Sequence, residues 1–346
     1  MKHLIRVVFL YNTISSSVLN HLRTELKEFP NIEIIIPQST EISDMIPLVE
    51  KADVLVGWKC PKELLPYTQH LKLYISPYTG VSYLIKAFKQ MTPPPHFPIV
   101  NAHGAAKLIA QHAVAMLFGI MNHLIIHHND MLNGNWIPGG EGVEEPCPSI
   151  PIEGRKIGLF GYGQINQTVH KYLRGFPVEF HALKRSWKKT SEEKHPNKIV
   201  QYSPKQLDIF MKNIDTLIIA APLTPETENL IRMKQLKLLG PDGIIVNVGR
   251  AKIINEKDLF NALQKKIIAR AALDVWYIYN PTPDARNRLW PFSQPFNTLK
   301  NVLLSPHRAD SPFDHLSRWD DIITNIKKVA QGRHDFLNQV DLERGY

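Results

Sequence analysis

The sequence predicts an α/β protein built from two doubly wound parallel-sheet domains, and three observations lead there. Ten short β-branched runs alternate with segments of helical period along nearly the whole chain. The runs are apolar throughout rather than at every second residue, as strands covered on both faces of a parallel sheet require. The chain has 346 residues, enough for two domains of roughly 150 residues each. With 44% hydrophobic and 21% charged residues, the composition excludes a disordered or fibrous chain.

The first strand is expected at Leu4–Leu10, directly behind Met1-Lys2-His3 and with no cleavage site of a secretory leader. Further strands are expected at Ile32–Ile36, Asp53–Trp58 and Leu71–Ser76. Thr92-Pro93-Pro94-Pro95 breaks the pattern, because proline lacks the N–H that a regular element needs. A long helix should follow from about Ala105 to His128. Ala105, Leu108, Ile109, Ala113, Met116, Leu117, Ile120, Met121 and Leu124 give it an unusually wide apolar face. Such a face is buried on several sides, by its own domain or by a second subunit. Lys107, Gln111, His112 and His123 interrupt it and argue against a membrane span.

Residues Asn133–Pro151 hold Gly134, Gly139, Gly140, Gly142 and Pro138, Pro146, Pro148, Pro151, and read as a loop. Six more strands are expected at Lys156–Phe160, Val178–Leu183, Asp215–Ala220, Gly243–Val248, Ala271–Val275 and Asn301–Ser305. Ser203 before Pro204, and Asn255 before Glu256-Lys257-Asp258, mark helix starts between them.

Cys60 and Cys147 are too few for a disulfide scaffold and lack metal-ligand spacing, which favours a reducing, cytoplasmic setting. Forty-one Lys and Arg against 32 Asp and Glu leave a net charge of +9. Residues Lys184–Lys198 carry six basic and two acidic side chains, so +4 of that charge is local. This concentration argues against a nucleic-acid partner.

The chemistry-bearing motif begins where Lys156-Ile157-Gly158-Leu159-Phe160 runs into Gly161-Tyr162-Gly163-Gln164-Ile165-Asn166. Ile165, Val169, Tyr172 and Leu173 keep helical spacing up to Gly175. Strand, glycine turn and helix are the context of a Rossmann dinucleotide fingerprint. Gly161 allows the tight turn, and Gly163 lets a pyrophosphate approach the backbone. Gln164 and Ile165 open the helix, whose free N–H groups and dipole favour an anion. Asn166 stands where a third glycine belongs, so helix and strand are expected to sit slightly farther apart. The second strand ends in Lys184, Arg185 and Ser186, where an acidic residue would suit an unmodified ribose. Basic residues there suit a ribose 2′-phosphate, or else form a solvated loop.

From Gly154 to His307 the chain resembles the D-isomer-specific 2-hydroxyacid dehydrogenases, which include glyoxylate/hydroxypyruvate reductases and the D-lactate, phosphoglycerate and formate dehydrogenases. The carrying segments are Gly161–Asn166, Ala221-Pro222-Leu223-Thr224-Pro225-Glu226-Thr227, Asn247-Val248-Gly249-Arg250, Ala272-Leu273-Asp274-Val275 and Ser305-Pro306-His307. Fainter likeness at Pro77-Tyr78-Thr79-Gly80-Val81, Ala110-Gln111-His112 and the chain end extends it to nearly the whole sequence. The resemblance implies a flavodoxin-like substrate domain from residues 1–102 and 312–346, a Rossmann nucleotide domain over 103–311, and an active site in the cleft between them. It implies an NAD(P)-dependent oxidoreductase, and with Lys184 and Arg185 one preferring NADP(H), with NAD(H) still accepted.

The resemblance assigns Arg250 to the 2-keto acid carboxylate and carbonyl, for which a planar, permanently charged guanidinium is suited. It assigns His307 to proton transfer and the backbone N–H groups of Thr79, Gly80 and Val81 to the carboxylate. Pro222, Thr227, Val248, Gly249 and Asp274 would line the cofactor, Asp274 near the nicotinamide carboxamide. The partners implied are a small 2-keto or 2-hydroxy acid and a second copy of the chain, paired through the helix that starts at Ala105.

One position departs from the family. The glutamate expected to support the histidine is replaced by Tyr279, with Asp284 and Asp310 the nearest acidic residues in sequence. A phenol orients an imidazole but supplies little charge, so Tyr279 becomes the candidate partner of His307. An uncharged partner also fits formate oxidation, which removes no alcohol proton. A third reading is a nucleotide-sensing scaffold similar to the C-terminal-binding corepressors, against which the presence of both Arg250 and His307 argues. His123, His127 and His128 share helical spacing, but their place near a helix C-terminus suits the dipole better than a metal, and no metal is expected.

Overall fold

The computed structural model describes residues 3–136, 138, 147–187 and 199–346. Residues 139–146 of the glycine- and proline-rich loop and 188–198 of the basic run lie outside the described residues.

The chain divides into two compact units, Met1–Ala105 with Ser311–Tyr346, and Ala106–Asp310. The first holds β1 (Ile5–Phe9), β2 (Ile32–Ile35), β3 (Val54–Val56), β4 (Leu73–Ser76) and β5 (Ile99–Asn101). All pair in parallel in the order β2-β1-β3-β4-β5, the flavodoxin-like winding. Helices α1 (Ser16–Leu26), α2 (Ile42–Val49) and α3 (Ser82–Lys89), with the C-terminal helix Asp320–Ala330, cover it. Alternation along each strand splits the core into two layers. Val7, Phe9 and Val54 meet Leu22 of α1 and Ile322 of the C-terminal helix, while Val8, Leu55 and Tyr74 meet Met45 of α2 and Phe88 of α3. Each such apolar side chain contributes about 1.5–3 kcal/mol by leaving water, so two covered faces outweigh any local propensity.

The second unit carries β6 (Lys156–Phe160), β7 (Glu179–Leu183), β8 (Ile199–Tyr202), β9 (Thr216–Ile219), β10 (Ile244–Asn247), β11 (Arg270–Leu273) and β12 (Val302–Leu304). The order β12-β11-β10-β9-β6-β7-β8 is the doubly wound nucleotide-binding arrangement with one strand added at the edge. Its helices are α4 (Ala106–Met121), α5 (Leu124–Leu132), α6 (Gln164–Leu173), α7 (Leu207–Lys212), α8 (Met233–Leu239) and α9 (Glu256–Gln264). Asn255 caps α9 by accepting the Asp258 N–H at 3.1 Å, as its position before an acidic turn suggests.

All ten expected strands are present within two residues of their expected ends. The short β5 and the edge strand β8 were not among them, because three residues behind Pro98 and a polar outer edge give little apolar signal.

The long helix expected from Ala105 to His128 is instead broken at Asn122-His123. His123 adopts a left-handed φ of 47°. The last α4 carbonyls bond elsewhere: the Arg270 guanidinium donates to Ile120 O at 2.8 Å and Met121 O at 2.7 Å, and Ile150 N donates to Met121 O at 2.9 Å. Burial and the nearby Arg270 charge push the His123 imidazole down to about 4, opposite to the cation-favouring dipole expected for it. Among the described residues no single helix is long and apolar enough to cross a membrane, and α4 and α5 meet at 65°.

Candidate active site

Every strand of the second unit runs the same way, so the segments that follow strands gather along one sheet edge. The register aligns Phe160 with Leu183 and Ile219, Asn247 with Ile219 and Leu273, and Leu273 with Leu304. Gly161–Asn166, Lys184–Ser186, Ala221–Thr227, Val248–Arg250, Asp274 and Ser305–His307 therefore all leave the carboxyl ends of strands, where open α/β sheets bind ligands.

Gly161 has φ +84°, and a Cβ there would stand 2.7 Å from Ala221 Cα, so no other residue fits the turn. Its N–H donates to Leu183 O at 3.0 Å, tying the turn to the end of β7. Gly163 caps α6 with no side chain of its own, and a Cβ there would meet nothing within 4 Å. The first N–H groups of α6, on Gln164 and Ile165, have no acceptor within the helix, the arrangement a pyrophosphate cradle uses.

Asn166 fills the place of the third glycine with a side chain that reaches the sheet. It is fully buried, and its Nδ2 lies 3.2, 3.0 and 3.2 Å from the carbonyls of Phe160, Gly161 and Ile218. The side chain ties helix to sheet through these bonds.

At the end of β7, Tyr202 O accepts from Lys184 N at 3.1 Å and from Trp187 Nε1 at 3.0 Å. The Lys184 ammonium lies 5.7 Å from the Trp187 ring centre, and Arg185 and Ser186 are exposed. Glu226 faces this corner; a hydrogen bond from Thr224 and the Arg185 charge hold its carboxyl below the usual range. Thr227 Oγ1 donates to Pro222 O at 2.8 Å and accepts from Thr224 N at 2.8 Å, closing the adjoining loop. Of the groups at this corner, Lys184, Arg185 and Ser186 suit a phosphate and the Glu226 carboxylate opposes one.

Arg250 follows β10. Asn247 shapes this corner, donating to Arg250 O at 3.1 Å and accepting from Gly249 N at 3.1 Å, while Val248 N donates to Ile219 O at 3.1 Å. The Arg250 guanidinium donates to Gly249 O at 2.7 Å and stays half-exposed.

The surroundings of His307 overturn the expected partnership. Tyr279 meets the imidazole edge-on, with ring centres 5.4 Å apart, and forms no hydrogen bond to it. Asp284 is bound to Arg288 and Trp290. The partner is Asp274: its carbonyl oxygen lies 3.0 Å from His307 Nδ1 and its Oδ2 lies 3.8 Å away. A carbonyl only accepts, so Nδ1 carries the hydrogen and Nε2 is left for proton exchange. His307 itself has a left-handed φ of 58°.

Asp274 was expected beside the nicotinamide carboxamide, but its carboxylate is turned inward. It accepts from Ser305 Oγ, from Arg308 N at 2.7 Å and from Ala309 N at 3.0 Å, and is almost fully buried. Burial alone would raise this carboxyl, but hydrogen bonds from His112, Ser305 and the two amides outweigh it and hold it below the usual range. Ser305 and His112 were missed as site residues because neither has a local signature beyond its motif.

In the first unit, Tyr78–Val81 follow β4. Asn101 Nδ2 donates to Thr79 O at 2.6 Å, and Thr79 Oγ1 donates to Ala102 O at 3.0 Å. Gly80 follows, and Val81 caps α3. The Tyr78 ring packs 5.3 Å from Phe313 and 6.2 Å from Trp58, with the buried Arg318 guanidinium 4.7 Å from the Phe313 ring centre.

A dinucleotide turn and an imidazole anchored through Nδ1 on one edge of a doubly wound sheet fit one class, a nucleotide-dependent oxidoreductase. The chain belongs to the D-isomer specific 2-hydroxyacid dehydrogenase family, whose NAD binding domain matches residues 114–309. It is 28% identical over 284 residues to glyoxylate/hydroxypyruvate reductase HPR3 of Arabidopsis thaliana, covering 81% of this chain and 80% of that protein. It is 26% identical over 312 residues to hydroxypyruvate reductase of Blautia hydrogenotrophica, covering 87% and 90%. The fold matches the crystal structure of an NADPH-dependent glyoxylate/hydroxypyruvate reductase from Sinorhizobium meliloti with a TM-score of 0.72, at 22% identity and over 98% of both chains.

Proposed function

We propose that this protein is an NADPH-preferring reductase of small 2-keto acids of the glyoxylate or hydroxypyruvate type, yielding the D-2-hydroxy acid. The observation that carries the reading is the Nδ1-anchored His307, whose free Nε2 lies on the same sheet edge as Arg250 and the Gly161–Ile165 turn. Residues 1–102 with 312–346 are assigned to the substrate and 103–311 to the nucleotide.

Gly163, Gln164 and Ile165 would hold the pyrophosphate, Lys184, Arg185 and Ser186 the 2′-phosphate, and Pro222, Thr227, Val248 and Gly249 the remaining cofactor wall. When bound, the reduced nicotinamide supplies a hydride. Arg250 binds the substrate carboxylate and polarises the ketone, with the N–H groups of Thr79, Gly80 and Val81 as further carboxylate donors. As the carbonyl carbon is reduced, the C=O π pair moves onto oxygen, and His307 in its imidazolium form gives that oxygen the Nε2 proton and is left as the neutral Nδ1–H tautomer. In the oxidative direction Nε2 takes the proton back.

The formate-oxidising alternative rests on an uncharged partner for His307 and on Asp274-Val275-Trp276, and the group bonded to Nδ1 is the uncharged Asp274 carbonyl at 3.0 Å, so the formate assay separates the two readings. Two free cysteines fit a cytoplasmic setting. The apolar face of α4 from Ile109 to Met121, expected to pair with a second copy, is buried within its own unit, so the homodimer is assigned to α5 instead, none of whose residues is buried and whose Leu132 is 71% exposed.

NADPH consumption with glyoxylate or hydroxypyruvate tests the reading. Turnover abolished by Arg250→Ala supports it. No consumption with any small 2-keto acid overturns it, and NADP reduction by formate would establish the alternative.

A further inference from the structure

Asp274 has a second histidine on its other side. His112, on α4, places Nε2 3.0 Å from Ser305 Oγ and 3.4 Å from Asp274 Oδ1. Hydrogen counting fixes the direction of this chain. Ser305 has one hydroxyl hydrogen and an ionised carboxylate can only accept, so the hydroxyl donates to Asp274 Oδ1. The Ser305 oxygen then accepts from His112, which must carry its hydrogen on Nε2.

Ser305 is also held through its backbone. Its N–H donates to Leu273 O at 2.8 Å, and its carbonyl accepts from Trp276 Nε1 at 2.9 Å and from His307 N at 2.9 Å. The buried Asp274 carboxylate draws in the N–H groups of Arg308 and Ala309, closing the turn that keeps His307 at φ 58°. A left-handed, non-glycine backbone persists only where its surroundings over-determine it.

We propose that His112 is a positioning residue: through Ser305 and Asp274 it locks the turn of His307 and the Nδ1–H tautomer that leaves Nε2 for the substrate oxygen. It touches neither substrate nor the reacting atoms. For turnover the inference rests on the reductase reading above; for the state of the imidazole it does not.

Four variants and two measurements test it. His112→Ala is expected to lower kcat about tenfold, the loss of one orienting hydrogen bond, while KM for glyoxylate and the NADPH Kd stay within about twofold. His112→Gln places an amide donor close to the position of Nε2 and should recover most of kcat. Ser305→Ala should also lower kcat, and the loss in the double variant should be smaller than the product of the two single losses, because His112 and Ser305 act on the same Asp274 carboxylate.

NMR of isotope-labelled histidines gives a readout independent of turnover. His307 should hold a single Nδ1–H tautomer in the wild type and in His112→Gln, and a mixture in His112→Ala. An unchanged kcat and tautomer in His112→Ala overturn the proposal. So does a loss of NADPH binding in step with kcat that His112→Gln fails to restore, the mark of a packing role alone. Should the wild type reduce no 2-keto acid, the reductase reading falls, and the tautomer comparison still decides the role of His112.

Discussion

Asp274 holds His307 at two points: its carbonyl oxygen lies 3.0 Å from Nδ1, and its carboxylate Oδ2 lies 3.8 Å from the same atom. The residues are 33 positions apart and meet because β11 and β12 lie side by side with Leu273 opposite Leu304. Asp274→Asn removes the charge and puts an NH2 donor in place of one oxygen, where the amide of Arg308 or of Ala309 needs an acceptor. It should lower kcat by roughly a hundredfold, about 2.7 kcal/mol. Tyr279→Phe keeps the edge-on ring and should leave kcat within about twofold. The opposite ranking of these variants would return Tyr279 to the role of partner.

Gly161 and Gly163 separate folding from binding within one motif. A Cβ at position 161 strikes Ala221 Cα at 2.7 Å in a left-handed backbone, so Gly161→Ala should destabilise the second unit by about 2–4 kcal/mol, read from the urea midpoint. A Cβ at 163 meets no protein atom within 4 Å. Gly163→Ala should therefore fold normally and bind NADPH at least tenfold more weakly, with about 1.4 kcal/mol lost to the obstructed phosphate. Equal urea midpoints for the two variants would contradict the turn geometry.

Cofactor preference should follow charge at the end of β7. Charge-assisted bonds to a phosphate contribute roughly 1.5–3 kcal/mol each, so NADPH should bind about tenfold to a hundredfold more tightly than NADH. Lys184→Asp should erase most of that difference, and Glu226→Gln, which relieves Arg185 of a nearby anion, should widen it. Fluorescence titration with both nucleotides measures it. Equal dissociation constants in the wild type would refute the assignment.

His123 makes stability depend on pH. Burial and Arg270 hold the folded imidazole at about 4 against 6.5 for the free group, so between these values the unfolded chain binds a proton that the folded chain refuses. This contribution is fully present above 6.5 and is lost as pH falls towards 4. Wild-type protein should melt at a lower temperature at about pH 5 than at about pH 7, and His123→Asn, which tolerates the left-handed backbone, should shrink the difference. Identical pH dependence in both proteins would show that His123 is not the group responsible.

The exposed apolar residues of α5 should be covered by a second copy. Ile125→Glu with Leu132→Glu should convert a dimer to a monomer at micromolar concentration, as read by analytical ultracentrifugation. An interface of this type buries roughly 2,000 Å² or more, and two buried carboxylates are too costly for it. A monomeric wild type would remove the assignment.

The sequence by itself determined what depends on neighbours along the chain. Apolar runs without alternation placed ten strands, and Gly161-x-Gly163 between a strand and a helix placed the nucleotide turn. Asn255 before an acidic first turn placed a helix start. Each rests on backbone sterics, caps or periodicity within a few residues. The tertiary structure decided the rest, because it depends on which strands become neighbours. Arg270 ends α4 by reaching carbonyls 150 and 149 positions away, and no periodicity within the helix records that competition for its carbonyls. His112 meets Ser305 across 193 positions, and Asp274 takes the place that the sequence reserved for Tyr279. Hydrogen-bond partners of this kind are set by sheet register and by the burial of a charge that must be satisfied where it lies. Neither exists before the sheet has formed.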